Sequence, residues 1–243
     1  SVSLPAGCGS TAASPVSSAA STAAESTTSS VVSEATSAAA DENAAAAAQL
    51  LNDLTGSYQE LWPVILADEY KQTWLDDCTA LVGEDNAEAA FEKLSSMVTG
   101  DVYGENAVKA YANGGGAYFC GFTNGLVTLT FDGGTSTISG TDKDGNVLFS
   151  HTYHYIGMEP VRGLYEFESD DADSGEFTYF FLAPDTSAET YHIEFRYGSD
   201  AEALSQYDAG EYAYWLASGI STDCDQTMID NCIELFCTEN LAG

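Results

Sequence analysis

The chain has 243 residues and a formal net charge of −32, because 38 Asp and Glu stand against only six Lys and Arg. A surface this acidic repels phosphate backbones and anionic lipid headgroups, which excludes nucleic acid as a partner. No apolar run approaches the ~18 residues that a membrane-spanning helix needs. Contact with a membrane would therefore require an anchor.

The first ten residues, SVSLPAGCGS, predict such an anchor. Small residues at Ala6 and Gly7 directly precede Cys8, as they do at the end of a bacterial lipoprotein signal peptide. We interpret residues 1–8 as the remnant of that signal, with Cys8 as the lipidation site. The protein is then expected outside the cytoplasm, on the bacterial cell surface or in the envelope, and it contacts the membrane only through Cys8.

The composition changes sharply after this start. From Gly9 to about Ala40 the residues are almost entirely Ser, Thr, Ala and Val, with no aromatic side chain. Such a segment cannot bury enough apolar surface to offset its loss of conformational entropy. We predict a disordered linker over residues 9–45 and one folded domain over residues 46–243.

Helices are predicted at both ends of the folded domain. Apolar residues recur at helical spacing between Tyr58 and Met97, and Pro63 and Gly83 divide that stretch into two or three helices. The other predicted helices are an Ala-rich one over Asp41–Leu51 and two closing ones over Asp200–Trp215 and Asp223–Thr238.

The middle of the domain is typical of β-structure. Short β-branched or aromatic segments alternate with Gly- and Asp-rich turns, which predicts an antiparallel meander that forms a barrel or a sandwich. The predicted strands are Ala117–Phe122, Leu126–Phe131, Thr135–Ser139, Val147–Tyr155, Val161–Glu168, Phe177–Leu182 and Tyr191–Tyr197. Asp142, Asp144 and Asn146 have the spacing of calcium ligands, but the later acidic ligand is missing and Gly145-Asn146 favours a hairpin turn.

The cysteines after Cys8 leave several pairings open. Outside the cytoplasm they would allow up to two disulfides and one remaining thiol. No CxxC pair occurs, so a thiolate zinc site is not predicted. These cysteines are Cys78, Cys120, Cys224, Cys232 and Cys237.

Several segments, taken in order, resemble one family. They are LNDLTGSYQELWPVIL (51–66), HTYHYIG (151–157), VRGLYEF (161–167), FFLAP (180–184), YHIEFRYGS (191–199) and a Tyr/Trp-rich stretch at 212–215. Together they resemble the ZinT (YodA) domain, whose members are calycin-like barrels of the bacterial envelope that bind zinc and cadmium. The resemblance implies a mainly β fold with flanking helices: a lipocalin-like antiparallel barrel, preceded by helices and closed by two C-terminal helices.

The resemblance also implies Zn²⁺ as the ligand and identifies three positions for its donors. In the family pattern all three are His, whereas this chain has Phe180, Thr190 and His192 there. A single imidazole cannot hold zinc tightly, because zinc sites use three or more protein ligands. The metal site is therefore expected to be weakened or altered.

A rearranged site can be built from the remaining donors. Strand alternation places His192 and Glu194 on one face of their strand, within reach of one cation. His151 and His154 lie on another strand with opposite orientations, so only one of them can join. Two competing interpretations remain: this face looks at water, or Glu194 pairs with Arg196.

No enzyme motif is present. The sequence contains no GxSxG, no HExxH and no phosphate-binding Gly loop, so no catalytic residue is assigned. Arg162, among apolar barrel residues, is predicted to anchor carboxylates or carbonyls. Three functions remain open: a divalent-metal binder of the ZinT type, a calycin-like pocket for a small apolar ligand, and a surface that interacts with another protein.

Overall fold

The computed structural model describes residues 42–185 and 188–243. The predicted lipidation site at Cys8 and the linker up to residue 41 lie outside the described residues. Within the described part, no helix is both long and apolar enough to cross a membrane.

Helices precede, interrupt and follow the strands along the chain. The first, α1 at residues 42–53, overlaps the predicted Ala-rich helix over Asp41–Leu51 and extends two residues beyond it. The stretch predicted to hold two or three helices contains a short α2, then α3 and α4, which meet at the positive-φ Gly83. The helix bounds are Leu61–Ile65 for α2, Lys71–Val82 for α3, Glu84–Val98 for α4, Glu105–Ala110 for α5, Ala201–Leu204 for α6 and Gln226–Leu241 for α7.

Eight antiparallel strands close into a barrel in which each strand pairs with its neighbours in sequence and β1 pairs with β8. This arrangement confirms the predicted calycin-like barrel with flanking helices and decides against the sandwich. The strands are β1 Gly56–Glu60, β2 Thr128–Asp132, β3 Thr137–Thr141, β4 Val147–Met158, β5 Tyr165–Ser169, β6 Tyr179–Leu182, β7 His192–Gly198 and β8 Ala217–Ser221.

Aromatic side chains fill the inside of the barrel. Phe180 lies within 5.2–5.6 Å of the rings of Phe149, Tyr153 and Tyr197, measured between centroids. These side chains have 5% or less of their surface exposed. A small apolar ligand inside the barrel would have to displace them, at the cost of the packing that holds the strands together.

A second apolar cluster lies outside the barrel, between its wall and the helices. Ile220 on the outer face of β8 belongs to it, together with Trp62, Trp74 and Ile233 from α2, α3 and α7. The indole of Trp74 donates to the carbonyl of Ile65 at 2.7 Å, which ties α3 to α2. The helices therefore bury the outer faces of β7 and β8, which would otherwise be solvated.

The structure corrects two predicted segments. Ala117–Phe122 forms only isolated bridges at Phe119 and no continuous strand. In the predicted helix Asp200–Trp215 only Ala201–Leu204 is helical. The rest of that segment is a loop because its carbonyls bond a buried side chain, Arg196, instead of successive backbone amides.

The five described cysteines are all free, so no disulfide joins them. The thiols of Cys78 and Cys237 lie 4.0 Å apart where α3 packs on α7. The Asp142 region is a turn, as predicted: its carboxylate accepts from the backbone amides of Asp144 and Asn146, both at 2.9 Å, and Gly145 has φ +81°.

Candidate metal site on the outer face of the barrel

The three histidines do not converge. His151 and His154 are on β4, which β5 and β6 separate from β7 and His192. His151 pairs with the core residue Ile138 and so shares the inner face of the barrel, whereas His154 is on the outer face. The opposite orientations predicted for the pair are confirmed, but the structure brings neither histidine to His192.

Each histidine of β4 has an acidic partner of its own. His151 Nδ1 lies 2.7 Å from Asp171 Oδ2, and His154 Nδ1 lies 2.5 Å from Asp170 Oδ1. Hydrogen bonds from the side chains of Thr152 and His154 lower the pKa of Asp170. These are local pairs at the barrel surface, and they account for both side chains without a metal.

His192 and Glu194 do share one face, as the alternation predicts. Ile193, which lies between them, and Phe195, which follows Glu194, point into the barrel core. His192 and Glu194 therefore point outward. There α7 covers them and leaves a cleft of about 460 Å³. The cleft is lined by Asp185, Glu189, Thr190, His192, Glu194, Asn231, Glu234, Leu235, Thr238 and Glu239.

Phe180 does not belong to this cleft. It is paired with Tyr197 across β6 and β7 and stacks on that ring inside the barrel. Thr190, by contrast, lines the cleft next to His192. Of the three positions that the family resemblance identified, two are thus in the cleft and one is on the other side of the barrel wall.

The surroundings of Glu194 disfavour the ionised form of its carboxyl group. Burial and, to a smaller extent, the negative charges of Asp185 and Glu239 together raise its pKa to about 8. Within the described part of the chain, the carboxylate of Glu194 forms no hydrogen bond or ion pair. The predicted alternative pairing with Arg196 does not occur, because the Arg196 guanidinium donates to backbone carbonyls of the 204–212 segment.

His192 is arranged to offer one nitrogen to the cleft. Its Nδ1 lies 2.6 Å from Thr190 Oγ1, and burial lowers its pKa below the usual value. A neutral ring whose Nδ1–H donates to Thr190 has a lone pair on Nε2, the form in which histidine binds metals. Thr190 therefore acts on the orientation and tautomer of His192.

The donors do not make a complete zinc site. Over residues 42–185 and 188–243, no three His, Cys, Asp or Glu side chains converge closely enough to hold a metal ion. His192 and Glu194 are adjacent donors, and Asp185 and Glu239 contribute charge from the rim. The arrangement fits an open, two-donor cation site better than a closed tetrahedral one.

Sequence reasoning missed the contribution of α7. Asn231, Leu235 and Thr238 are spaced by four and three residues, so they lie on one helical face, and Glu239 adjoins them on the cleft. The amphipathic pattern of α7, with polar residues beside the buried Ile229, Cys232 and Ile233, was the available signal. Its partner strand could not be identified without the tertiary structure.

The raised pKa of Glu194 predicts a specific pH dependence. Native Glu194 binds its proton more tightly than the unfolded chain does, so stability falls as pH rises toward about 8. Titration of His192 makes the stability rise with pH, but only below its ordinary pKa of 6.5. Between pH 6.5 and 8 the metal-free protein should therefore lose stability, by at most ~1.4 kcal/mol per pH unit from this group.

Urea unfolding at pH 6.5 and 8.5 in EDTA measures this effect. In Glu194→Gln the loss should be much smaller, because the amide does not titrate. An equal loss in both proteins would show that Glu194 is ionised at neutral pH in the native state.

Comparison with known proteins gives a likeness of fold. The zinc-bound ZinT-like domain of Streptococcus pneumoniae AdcA is 15% identical, with a TM-score of 0.48 over 76% of this chain and 89% of that domain. The structure of zinc-bound AdcA from the same organism is 16% identical, with a TM-score of 0.44 over 77% of this chain and 35% of that protein. No family model and no curated protein matches the sequence.

Proposed function

We propose that this protein binds a divalent metal ion reversibly in the cleft between β7 and α7, with His192 and Glu194 as its protein ligands. One observation supports this most strongly: a carboxylate and a neutral imidazole share a cleft whose described lining contains no Lys or Arg side chain. The metal is cargo in this proposal, and the protein is a binding protein that catalyses no reaction.

The electrostatics favour a cation over any other small ligand. A buried carboxylate is costly unless it is protonated or paired, and Asp185 and Glu239 increase that cost. A bound divalent ion would remove it and would also be attracted by the net charge of −32. An apolar or anionic ligand gains nothing from these groups.

The donor set favours a borderline ion bound with modest affinity. Imidazole suits zinc and its neighbours, whereas a carboxylate also accepts manganese and calcium. With two protein ligands, water must complete the coordination shell, so binding should be weaker than at a site with three histidines. Because both ligands bind in their deprotonated forms, affinity should rise between pH 6 and 8.

A thermal-shift series on the folded protein tests the proposal. EDTA-stripped protein is titrated with zinc, cadmium, manganese and calcium. Saturation at ~100 times the dissociation constant stabilises the native state by ~2.7 kcal/mol, which raises the melting temperature by several degrees. We expect this rise with zinc or cadmium, and we expect His192→Ala to abolish it.

The protein contains its own matched control. His154→Ala also removes an imidazole from a strand, but it leaves the cleft unchanged. It should keep the full metal response. If His154→Ala and His192→Ala behave alike, or if no ion raises the melting temperature, the proposal is wrong.

We also propose that the domain works outside the cytoplasm, tethered through a lipid on Cys8. Support comes from the small residues before Cys8 and the polar segment after it, which would act as a spacer between membrane and domain. Mass spectrometry of the peptide that contains Cys8, extracted from membranes with detergent, should show a lipid adduct. An unmodified Cys8 in that fraction would contradict the tether.

A further inference from the structure

A second and larger cavity lies away from the metal cleft. Its volume is about 900 Å³, and it lies between α4, the loop before Tyr118, the turn at Arg162 and the 205–214 segment. Gly114 and Gly115, at φ +89° and +79°, shape the loop that borders it. A cavity of this size accommodates an organic molecule rather than a bare ion.

The cavity concentrates the few cations of the chain. Two of the six basic residues, Lys93 and Arg162, line it. A third, Arg196, lies over the ring of Tyr207 at 4.3 Å, and Arg162 lies over the same ring at 4.5 Å. Asp208 is the acidic residue in the lining. Basic side chains thus outnumber acidic ones in the cavity lining, in a protein with a net charge of −32.

Arg162 has hydrogen-bonding capacity that the protein leaves unused. Its Nη2 donates to the hydroxyl of Tyr118 at 3.2 Å. Its Nη1 is buried and has no hydrogen-bond partner. No described carboxylate lies within 4 Å of the Arg162 guanidinium, the distance limit for an ion pair. A buried guanidinium nitrogen without a partner is unfavourable, and a bound acceptor would remove that cost.

The guanidinium is also held in place. The fully buried Glu159 accepts from the backbone amide of Arg162 and from the hydroxyl of Tyr207, both at 2.9 Å. These bonds fix the turn that carries Arg162 and the ring on which it stacks. A ligand would therefore meet a preorganised site and lose little free energy in ordering it.

We propose that this cavity binds a small organic carboxylate with a flat, apolar body. The planar guanidinium fork matches a carboxylate, and the rings of Tyr118 and Tyr214, which line the cavity, offer apolar surface for a flat body. The acidic surface repels anions in general. An anion is therefore expected to bind only if it also buries apolar surface, because that burial offsets the repulsion.

Isothermal titration with three probes tests this assignment. Phenylacetate combines both features, phenylacetamide is its neutral analogue, and inorganic phosphate is an anion without an apolar body. We expect saturable binding of phenylacetate only. Arg162→Gln should weaken it at least tenfold, Lys93→Gln a few-fold, and Arg162→Lys by an intermediate factor because charge remains but the fork is lost.

Lys143→Gln is the matched control, since it removes one positive charge from an exposed hairpin. It should bind phenylacetate like the parent protein. Melting curves followed by circular dichroism identify any variant that fails to fold. If Arg162→Gln fails to fold, Lys93→Gln, on a helix surface, still tests the assignment.

Three results would overturn the assignment: phenylacetamide binds as tightly as phenylacetate, phosphate binds while phenylacetate does not, or no probe binds up to ~10 mM. The zinc response is measured on the parent protein, His192→Ala and His154→Ala, without any of these variants, so failure here and failure of the metal proposal can be told apart.

Discussion

Replacement of Arg196 by Met should destabilise the protein by ~4 kcal/mol, one of the two largest effects expected of a single substitution. Arg196 is fully buried. Its guanidinium donates to the carbonyls of Leu204, at 2.5 Å, of Gln206, at 2.9 Å, and of Tyr212. Each lost bond to a charged donor costs ~1.5–3 kcal/mol when its acceptor stays buried. Relief of the unpaired Nε offsets part of this.

Urea unfolding measures the loss, and hydrogen exchange locates it. Amides of residues 205–216 should lose protection first, because Arg196 is what docks this segment on the barrel. Arg162→Met is the control, since Arg162 makes a single side-chain hydrogen bond, to Tyr118, and should cost less than half as much. Equal losses for the two arginines would mean that the carbonyls find other donors once Arg196 is gone.

Phe180→His should also be strongly destabilising, by ~3 kcal/mol, without any gain in metal affinity. The family resemblance alone would favour this substitution as a repair of the zinc site. In the structure, however, Phe180 is fully buried and stacks on Phe195 and Tyr197 inside the barrel. An imidazole there loses aromatic packing and buries polar nitrogens. It also lies on the wrong side of the wall to reach His192.

Leu235→His provides the contrast. Leu235 lies on α7 and lines the cleft together with His192, Glu194 and Glu239, so an imidazole there would add a third donor. We expect at least ~10-fold tighter zinc binding by titration against a competing chelator. Tighter binding in Phe180→His instead would show that the metal is bound inside the barrel and not under α7.

Most of the barrel was predictable because its strands carry a local signal. The segments that became β2 to β7 are rich in β-branched and aromatic residues with turn residues between them. Two strands lacked that signal. β1, GSYQE, is short and polar, and β8, ASGIS, consists mostly of small residues.

The small residues of β8 have a tertiary cause. A Cβ at Gly219 would lie 3.0 Å from the Ile193 side chain and 3.3 Å from the carbonyl of Gln59. Packing between β7 and β1 therefore selects residues whose intrinsic β-propensity is low. Sequence patterns reflect the local backbone preference of each residue. They do not show which side chains are excluded by contact with residues that are distant in the sequence.

The candidate site was likewise predictable from the sequence only in part. Alternation along one strand was sufficient to place His192 and Glu194 on a common face, because side-chain direction in a strand is a local property. The sequence by itself likewise determined the acidic charge, the absence of enzyme motifs and the antiparallel β class, whereas the pairing of β1 with β8 decided for the barrel over the sandwich. It could not show that α7 covers that face, that His151 and His154 bond their own aspartates, or that Phe180 points into the core. Those facts depend on which strands become neighbours when the barrel closes, and closure depends on contacts between residues far apart in the chain.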